Sequence, residues 1–157
     1  MKPSIGIKPA DLAAVSEVLG KLLSDVFVLY TKTRNAHWNV EGPDFHAMHL
    51  FFESQYEQLD ETMDEIAERI RSLGHYAPAT LAAFLKLTSL TEATRSKNDS
   101  AGFIKELLED HESTIIHMRE HIDKIADEWH DAGTSDFLTG LMEEHEKMAW
   151  MLRSHLK

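Results

Sequence analysis

Apolar residues recur every three or four positions along four long segments of the chain, and this spacing limits the fold more than any other feature. Alternating steps of three and four place one stripe on a helix and are typical of helices that pack in a bundle. No segment shows the strict alternation that indicates a half-buried strand. We therefore predict an all-α protein of four long helices. The second segment shows the spacing most clearly, at Phe45, Met48, Phe52, Tyr56, Leu59, Met63, Ile66, Ile70 and Leu73.

Glycine and proline residues predict where the first two helices begin and end. The first helix is expected to run from Pro9 to near Trp38. The second is expected to begin at the Gly42-Pro43 turn, where proline suits a first helical turn, and to end at a cap on Gly74.

A long connection follows, from residue 75 to about residue 98, with a short apolar piece at 81–87. Connections of this length are unusual inside a bundle, and this one predicts a crossover between two parallel helices. The third helix is expected after Asn98, and the fourth after residues 130–135.

The composition is that of a soluble globular protein, and we expect one domain spanning residues 1–157. It is 43% hydrophobic and 27% charged, and no stretch approaches the roughly 20 apolar residues that cross a bilayer. Residues 1–7 are too polar for a secretory signal. We expect a cytoplasmic protein without a membrane partner.

The chain contains no cysteine, which excludes disulfides, thiolate metal sites and cysteine nucleophiles. A metal would have to be held by His, Asp, Glu or backbone oxygen, and these ligands suit Fe, Mn or Zn. The chain has ten histidines and a net charge of -11, which repels polyanions and concentrates cations. Solubility alone explains the same charge, so the charge does not decide between these interpretations.

Two histidines near the first turn are candidate metal ligands. His37 and His49 are each six positions from Pro43, so an antiparallel helical hairpin places them side by side. Two imidazoles suit a transition metal. Two unrelated histidines near a helix end are the alternative that this pair leaves open.

An acidic row on the second helix consists of Glu53, Glu57, Asp60, Asp64 and Glu68. Asp64 and Glu68 project from one face, where a cation would relieve their repulsion, although a solvated helix face is the alternative. Asp64 lies 15 residues after His49, or roughly 22 Å along the helix axis. The histidines and carboxylates can therefore share one site only if two subunits pack antiparallel, each lending carboxylates to the other.

Other histidines have ordinary structural explanations. His46 forms an i, i+3 pair with His49 and is expected to be an accessory or surface residue. His111 and His145 fall on apolar stripes and are interpreted as core residues. No Glu-x-x-His motif occurs, which argues against a di-iron centre inside each bundle.

Two tryptophans and two aspartates complete the set of candidates. Trp38 and Trp150 are expected to be packing residues, with an oxidisable neighbour of a redox metal as the alternative for Trp38. Asp131 and Asp136 flank the turn into the fourth helix. One of them is expected to cap that helix, and a cation-attracting channel lining is the alternative.

Segment 32–42, KTRNAHWNVEG, followed by His49 and by segment 64–69, DEIAER, resembles the signature of the Dps family. These are the mini-ferritins, also called DNA-binding proteins from starved cells. The similarity covers nearly the whole chain, including the short apolar piece in the crossover. The motifs in combination, at these gaps, are far more specific than any one of them.

The resemblance implies a ferritin-like four-helix bundle that assembles into a dodecameric hollow shell. It also implies a ferroxidase centre at a two-fold interface, where His37 and His49 of one subunit meet Asp64 and Glu68 of its neighbour. Glu53 matches a position that is often acidic and close to the iron.

The same resemblance implies the reaction. Fe(II) would be oxidised, by hydrogen peroxide in preference to dioxygen, and Fe(III) would be mineralised in the cavity, which protects against oxidative damage. Asp136, together with Asp131, would line the pore through which iron enters. Zinc is an alternative ion, because His and carboxylate suit both metals.

Family members that bind DNA strongly often use a mobile basic tail, and here the ends supply only Lys2, Lys8, Arg153 and Lys157. Since non-specific DNA affinity comes from neutralising many phosphates, we predict weak or no DNA binding and no lasting association with a nucleoid. A DNA-compacting stress protein with minor oxidase activity is the alternative function. A hydrolase built on the same shell is a third alternative, and no Ser/His/Asp arrangement can be inferred to support it. A purely structural bundle is a fourth, and it has no use for the spacing between histidines and carboxylates.

Overall fold

A computed structural model describes residues 3–92 and 95–156 and contains five helices in that part of the chain. The four long helices and the short helix in the crossover are those that the sequence predicts. Gly74 follows the second helix in the left-handed conformation, at φ +86°, as a C-terminal cap requires. The helices are α1 (Pro9–Asn39), α2 (Phe45–Ser72), α3 (Leu81–Leu87), α4 (Ser100–Asp127) and α5 (Ala132–Ser154).

The long helices form two hairpins, α1 with α2 and α4 with α5, which pack on each other through α1 and α4. The first residues of α2 and α4 meet at one end of the bundle. The backbone amide of Glu41 donates to the carbonyl of Asn98 at 2.9 Å, and the Ser100 hydroxyl donates to Asp44 at 2.6 Å. Because α2 and α4 begin at the same end, they are parallel, and the predicted crossover is confirmed.

The crossover is fixed to the middle of α1 by a buried carboxylate. Asp25 is 1% exposed and accepts hydrogen bonds from the Thr88 hydroxyl at 2.7 Å and the Ser89 backbone amide at 2.6 Å. A buried carboxylate is costly unless such donors satisfy it. Lys32, also in α1, donates to the carbonyl of Thr91 at 3.0 Å. These contacts hold α3 against α1.

Apolar side chains from all four long helices form one continuous core. The predicted core position of His111 and His145 is confirmed, because they are 1% and 0% exposed. None of the helices in the described part of the chain combines the length and the hydropathy that spanning a membrane requires. The largest fully buried side chains include Leu19, Leu29, Phe52, Leu59, Ile66, Met118, Leu138 and Met148.

Two helices begin at positions that the sequence prediction missed. α2 begins at Phe45 and not at the Gly-Pro pair, because a turn precedes it in which the Phe45 amide donates to the carbonyl of Gly42. Gly42 has φ +132°, which favours glycine. α5 begins at Ala132, earlier than predicted, because the Asp131 carboxylate accepts the amide hydrogen of Thr134 and caps the helix there.

Candidate metal centre

His37 and His49 lie face to face where α1 ends and α2 begins. Their ring centroids are 3.8 Å apart, and the ring planes differ by 21°. The Nδ1 atom of each ring lies 2.8 Å from the backbone oxygen of the other histidine. A carbonyl oxygen can only accept a hydrogen bond, so each Nδ1 carries the proton and each Nε2 keeps a free lone pair. The two side chains are adjacent, as their equal spacing from Pro43 predicts.

This arrangement suits a transition metal. Metal-binding imidazoles commonly donate their second nitrogen to a backbone carbonyl or a carboxylate, which fixes the tautomer and the orientation of the ring. Here the backbone of each helix orients the ring that belongs to the other helix. His37 is 7% exposed and His49 is half-buried, so the pair is supported by protein and open along one edge.

Tyr56 closes one side of the histidine pair. Its ring meets that of His37 edge to face at 5.1 Å between centroids, and the Arg34 guanidinium lies 4.3 Å above the tyrosine ring. The Tyr56 hydroxyl is 3.4 Å from Glu53, which is half-buried and one turn beyond His49. Desolvation and the charge of Glu53 raise the pKa of Tyr56, so its hydroxyl stays protonated and donates. The sequence prediction missed this role, although Tyr56 lies two turns after His49 on the same face.

Asp64 and Glu68 lie near the other end of α2, and both are exposed. Because α2 is continuous, the distance from His49 to Asp64 along its axis is roughly 22 Å. Asp64 lines a shallow opening between α1, α2 and the crossover. In the described part of a single chain, no three His, Asp or Glu side chains come close enough to hold an ion. The histidine pair and the carboxylate pair are therefore separate features of one chain.

Large apolar side chains are exposed beside the histidine pair and on α3. Trp38, Leu81 and Leu85 are 64%, 69% and 53% exposed and line one open groove between α1 and α3. Trp38 and Trp150, which the sequence predicts as packing residues, are not buried within the single chain, and Trp150 is 60% exposed. Arg34 lies 5.1 Å above the Trp38 ring instead. Exposed apolar patches of this kind mark interaction surfaces.

The two candidate pore residues differ in their surroundings. Asp131 is 3% exposed, accepts from the amide of Thr134 at 2.9 Å and pairs with Arg69 at 3.2 Å. The capping alternative is therefore the one that the structure shows for Asp131. Asp136 lies one turn later on α5 and is exposed. Its role in a pore stays a prediction, and His46, the predicted surface histidine, is also exposed.

Comparisons with known proteins agree with this architecture. A family model described as a ferritin-like domain matches residues 16–157. A low temperature-induced protein of Nostoc sp., described as uncharacterized, is 43% identical over 154 residues, which are 98% of this chain and 86% of that protein. The DNA protection during starvation protein 2 of Bacillus anthracis is 39% identical over 142 residues, or 90% of this chain and 96% of that protein.

A solved structure extends the agreement to the whole backbone. The Dps protein from Vibrio cholerae O1, described as a member of a broad superfamily of ferritin-like diiron-carboxylate proteins, is 31% identical with a TM-score of 0.92. The match covers 99% of this chain and 97% of that one. The family model, the relatives and the fold all confirm the resemblance seen in the sequence motifs. The chain belongs to the Dps family of ferritin-like proteins.

Proposed function

We propose that this protein oxidises Fe(II) and stores the Fe(III) product, at a site shared by two subunits of a hollow shell. The observation that carries the proposal is the pair of free Nε2 atoms on His37 and His49, which reciprocal hydrogen bonds hold in position. Membership of a family that includes diiron-carboxylate proteins supports iron as the substrate metal.

The carboxylate ligands in this proposal come from a second subunit. Asp64 and Glu68 are exposed and roughly 22 Å from the histidines of their own chain, so they are free to face another chain. The exposed apolar groove beside α3 supplies a surface that a second copy would cover. An antiparallel pair of subunits would then build two equivalent sites, as two-fold symmetry requires. Glu53, one turn beyond His49, is a further oxygen ligand in this arrangement.

The protein groups bind and orient iron, and the electrons come from the iron itself. Two imidazoles and two carboxylates leave coordination positions open for an oxidant. With hydrogen peroxide, two Fe(II) ions each give one electron, the oxygen–oxygen bond breaks, and two protons complete two water molecules. A two-electron reduction of peroxide releases no hydroxyl radical, which is the protective effect that we propose.

Storage requires a surface that attracts Fe(III). The face between α2 and α5 carries four exposed glutamates around an open depression of about 430 Å³. Carboxylate oxygens are the ligands that hard cations prefer. We propose that this face lines the interior of the shell and that Asp136 lies on the path by which iron enters. The four glutamates are Glu57, Glu61, Glu65 and Glu144.

The proposal is tested by loading the protein anaerobically with Fe(II), adding hydrogen peroxide, and recording Fe(III) absorbance together with particle size. We expect rapid oxidation, with iron retained in a soluble particle much larger than the 17.9 kDa chain. Asp64→Ala should abolish the fast phase, because the site loses a ligand, while the shell still assembles. Glu120→Ala, which removes an exposed carboxylate of α4 that has no part in the proposal, is the control and should keep the fast phase. Precipitated iron in the wild type, or an unchanged initial rate in Asp64→Ala, would refute the assignment.

DNA protection is the second candidate function, because it is part of the name of the Bacillus anthracis relative. A net charge of -11 on each chain opposes binding to a polyanion. Lys2 and Lys157, two of the four basic residues near the ends, lie outside the described residues. We expect no gel shift of DNA near 150 mM salt at neutral pH, where roughly physiological screening applies. A robust shift under those conditions would make DNA compaction the leading function.

A further inference from the structure

A second pair of histidines lies in a groove between α1 and α4, where the two helical hairpins pack on each other. His117 and His121 are four residues apart on α4, so they project from the same helix face. Both are half-buried and line one cavity of about 220 Å³, whose α1 wall includes Glu17 and Lys21. Neither histidine belongs to the centre at the α1–α2 turn.

The Nδ1 atom of each ring faces an acceptor. His121 Nδ1 lies 2.8 Å from the backbone oxygen of His117, so it carries the proton and donates. His117 Nδ1 lies 3.7 Å from a carboxylate oxygen of the buried Asp25. The carbonyl is a hydrogen-bond partner of the kind that supports metal-binding imidazoles, and it leaves Nε2 of His121 as the free ligand. The contact of His117 with Asp25 is longer than a hydrogen bond and is an electrostatic attraction that turns Nδ1 toward the carboxylate.

The distance between the rings fits one shared ion. A zinc ion at about 2 Å from Nε2 lies about 3 Å from the ring centroid, so two rings in tetrahedral geometry have centroids about 5 Å apart. The centroids of His117 and His121 are 5.7 Å apart. Two histidines four residues apart on one helix face are a recurrent zinc-binding arrangement.

We propose that His117 and His121 form a second metal site on the α1–α4 face, for a borderline divalent ion of the Zn²⁺ or Cu²⁺ type. Glu17 is the one exposed carboxylate on the cavity wall and supplies a third, weaker ligand by rotation of its side chain, and water completes the coordination. No third His, Asp or Glu of the described residues stands at bonding distance before the ion arrives. Lys21, on the same wall, opposes the cation, so the affinity is moderate.

The test is equilibrium dialysis of the metal-free assembled protein against Zn²⁺. The variant His117→Asn/His121→Asn should bind one Zn²⁺ fewer per chain than the wild type. The same loss should occur in a background of Asp64→Asn/Glu68→Asn, which removes carboxylates from the proposed iron site. If the loss of bound Zn²⁺ is the same in both backgrounds, the α1–α4 site is independent of Asp64 and Glu68. This conclusion stands even if the proposed iron site proves wrong. Unchanged Zn²⁺ stoichiometry in the His117/His121 variant would overturn the proposal.

Three further measurements make the result specific. His155→Asn, which removes an exposed histidine outside this cavity, is the control and should leave the stoichiometry unchanged. His121→Asn alone should weaken Zn²⁺ binding at this site at least tenfold. In the unaltered protein, Zn²⁺ should protect His117 and His121 from carbethoxylation, measured by mass spectrometry, more than it protects His155. If Zn²⁺ left the modification of each of the three histidines unchanged, that result would count against the site without relying on any variant.

Discussion

At the scale of single residues, histidine serves opposite purposes in two parts of this chain. The hydrogen bonds of His37 and His49 leave one ring nitrogen of each free to bind a metal, whereas the fully buried His111 and His145 face each other with their Nδ1 atoms 3.0 Å apart. One of those atoms must donate and the other accept, so at least the accepting ring is neutral. Burial lowers the pKa of His145 to about 4. Burial, followed by the neighbouring His145, holds the pKa of His111 well below its usual range.

Acid should destabilise the fold through this buried pair. In the unfolded chain each imidazole takes up a proton near pH 6.5, whereas folded His145 does so only near pH 4. Between pH 4 and pH 6.5 the unfolded state binds more protons than the folded state. The contribution of the neutral histidine pair to the free energy of unfolding is therefore complete above pH 6.5 and is lost as the pH falls. We expect the thermal unfolding midpoint to drop across this window, and to drop less in His111→Leu/His145→Leu. Calorimetry at several pH values measures the difference.

Replacing both partners of a buried hydrogen bond with apolar groups can be nearly neutral, so this double variant should remain folded at pH 8. His130→Asn, at an exposed position, is the control and should follow the wild-type pH dependence. Particle size should be followed alongside, to separate unfolding from loss of assembly. Parallel pH profiles for the core variant and the wild type would contradict the prediction.

The sequence predicted the adjacency of His37 and His49 because a helical hairpin depends only on their spacing from the turn. It could not predict the reciprocal hydrogen bonds, because these depend on side-chain rotamers and on the path of the turn at Gly42, with φ +132°. The contact between His111 and His145 was also beyond reach. Each was predicted as a core residue, but the contact depends on how α4 and α5 are rotated against each other.

At the scale of helices, apolar spacing predicted every long element, and hydrogen bonds at the ends decided where α2 and α5 begin. The start of α5 shows this best. The Asp131 carboxylate accepts from both the amide and the hydroxyl of Thr134 and pairs with Arg69 of α2. The sequence offered Asp131 and Asp136 as equal candidates for a cap. The structure distinguishes them through the bonds from Thr134 to Asp131 and through Arg69 of α2, which is 62 residues from Asp131 in the sequence.

Asp131 and Asp136 should respond differently to the same substitution. Asp131→Ala should lower stability by about 1–2 kcal/mol, because α5 loses its cap and Arg69 loses its partner. Asp136→Ala should change stability by less than about 0.5 kcal/mol, as for an ordinary surface residue. Under the pore proposal, Asp136→Ala should instead slow the entry of Fe(II). Thermal unfolding followed by circular dichroism and stopped-flow iron uptake measure the two effects.

Asp131→Asn refines the comparison, because its side-chain oxygen can still cap the helix while its charge is removed. It should restore part of the stability lost in Asp131→Ala. An unfolding midpoint in Asp131→Ala equal to that of the wild type would show that Asp131 does not stabilise α5. Unchanged iron uptake in Asp136→Ala would show that Asp136 does not act in a pore.

At the scale of the whole molecule, the two halves of the proposed iron site lie near opposite ends of α2. Sequence spacing predicted the separation of His49 from Asp64, since an α-helix rises a fixed distance per residue. What spacing could not predict is the exposed surface around the two halves. Trp38 is predicted as a packing residue, but in the single chain it lies beside Leu81 and Leu85 in an open groove.

Mixed assemblies should recover activity that neither parent has. Subunits carrying His37→Asn/His49→Asn retain intact carboxylates, and subunits carrying Asp64→Asn/Glu68→Asn retain intact histidines. Random pairing makes half of the dimers mixed, and each mixed dimer has one complete site of two, so about a quarter of the wild-type rate should return under two-fold symmetry. Stopped-flow oxidation of Fe(II) by peroxide after co-assembly measures the recovery.

Each variant taken through the same dissociation and reassembly alone is the control, and it should stay inactive. Mass spectrometry of differently tagged subunits establishes that mixing has occurred. Mixed particles without recovered activity, made from two inactive parents, would contradict a site shared by two subunits. Activity in one parent alone would show that the ligand pair it lacks has no part in the reaction.

The separation of the two ligand pairs along α2 also means that, under the proposed function, association of subunits comes before oxidation. A newly made chain holds both ligand pairs but cannot bring them together, so oxidation of Fe(II) requires a second subunit. Under the proposed function, Fe(III) therefore forms only after two subunits have associated. A roughly 22 Å stretch of helix would thus couple oxidation to assembly without any further component.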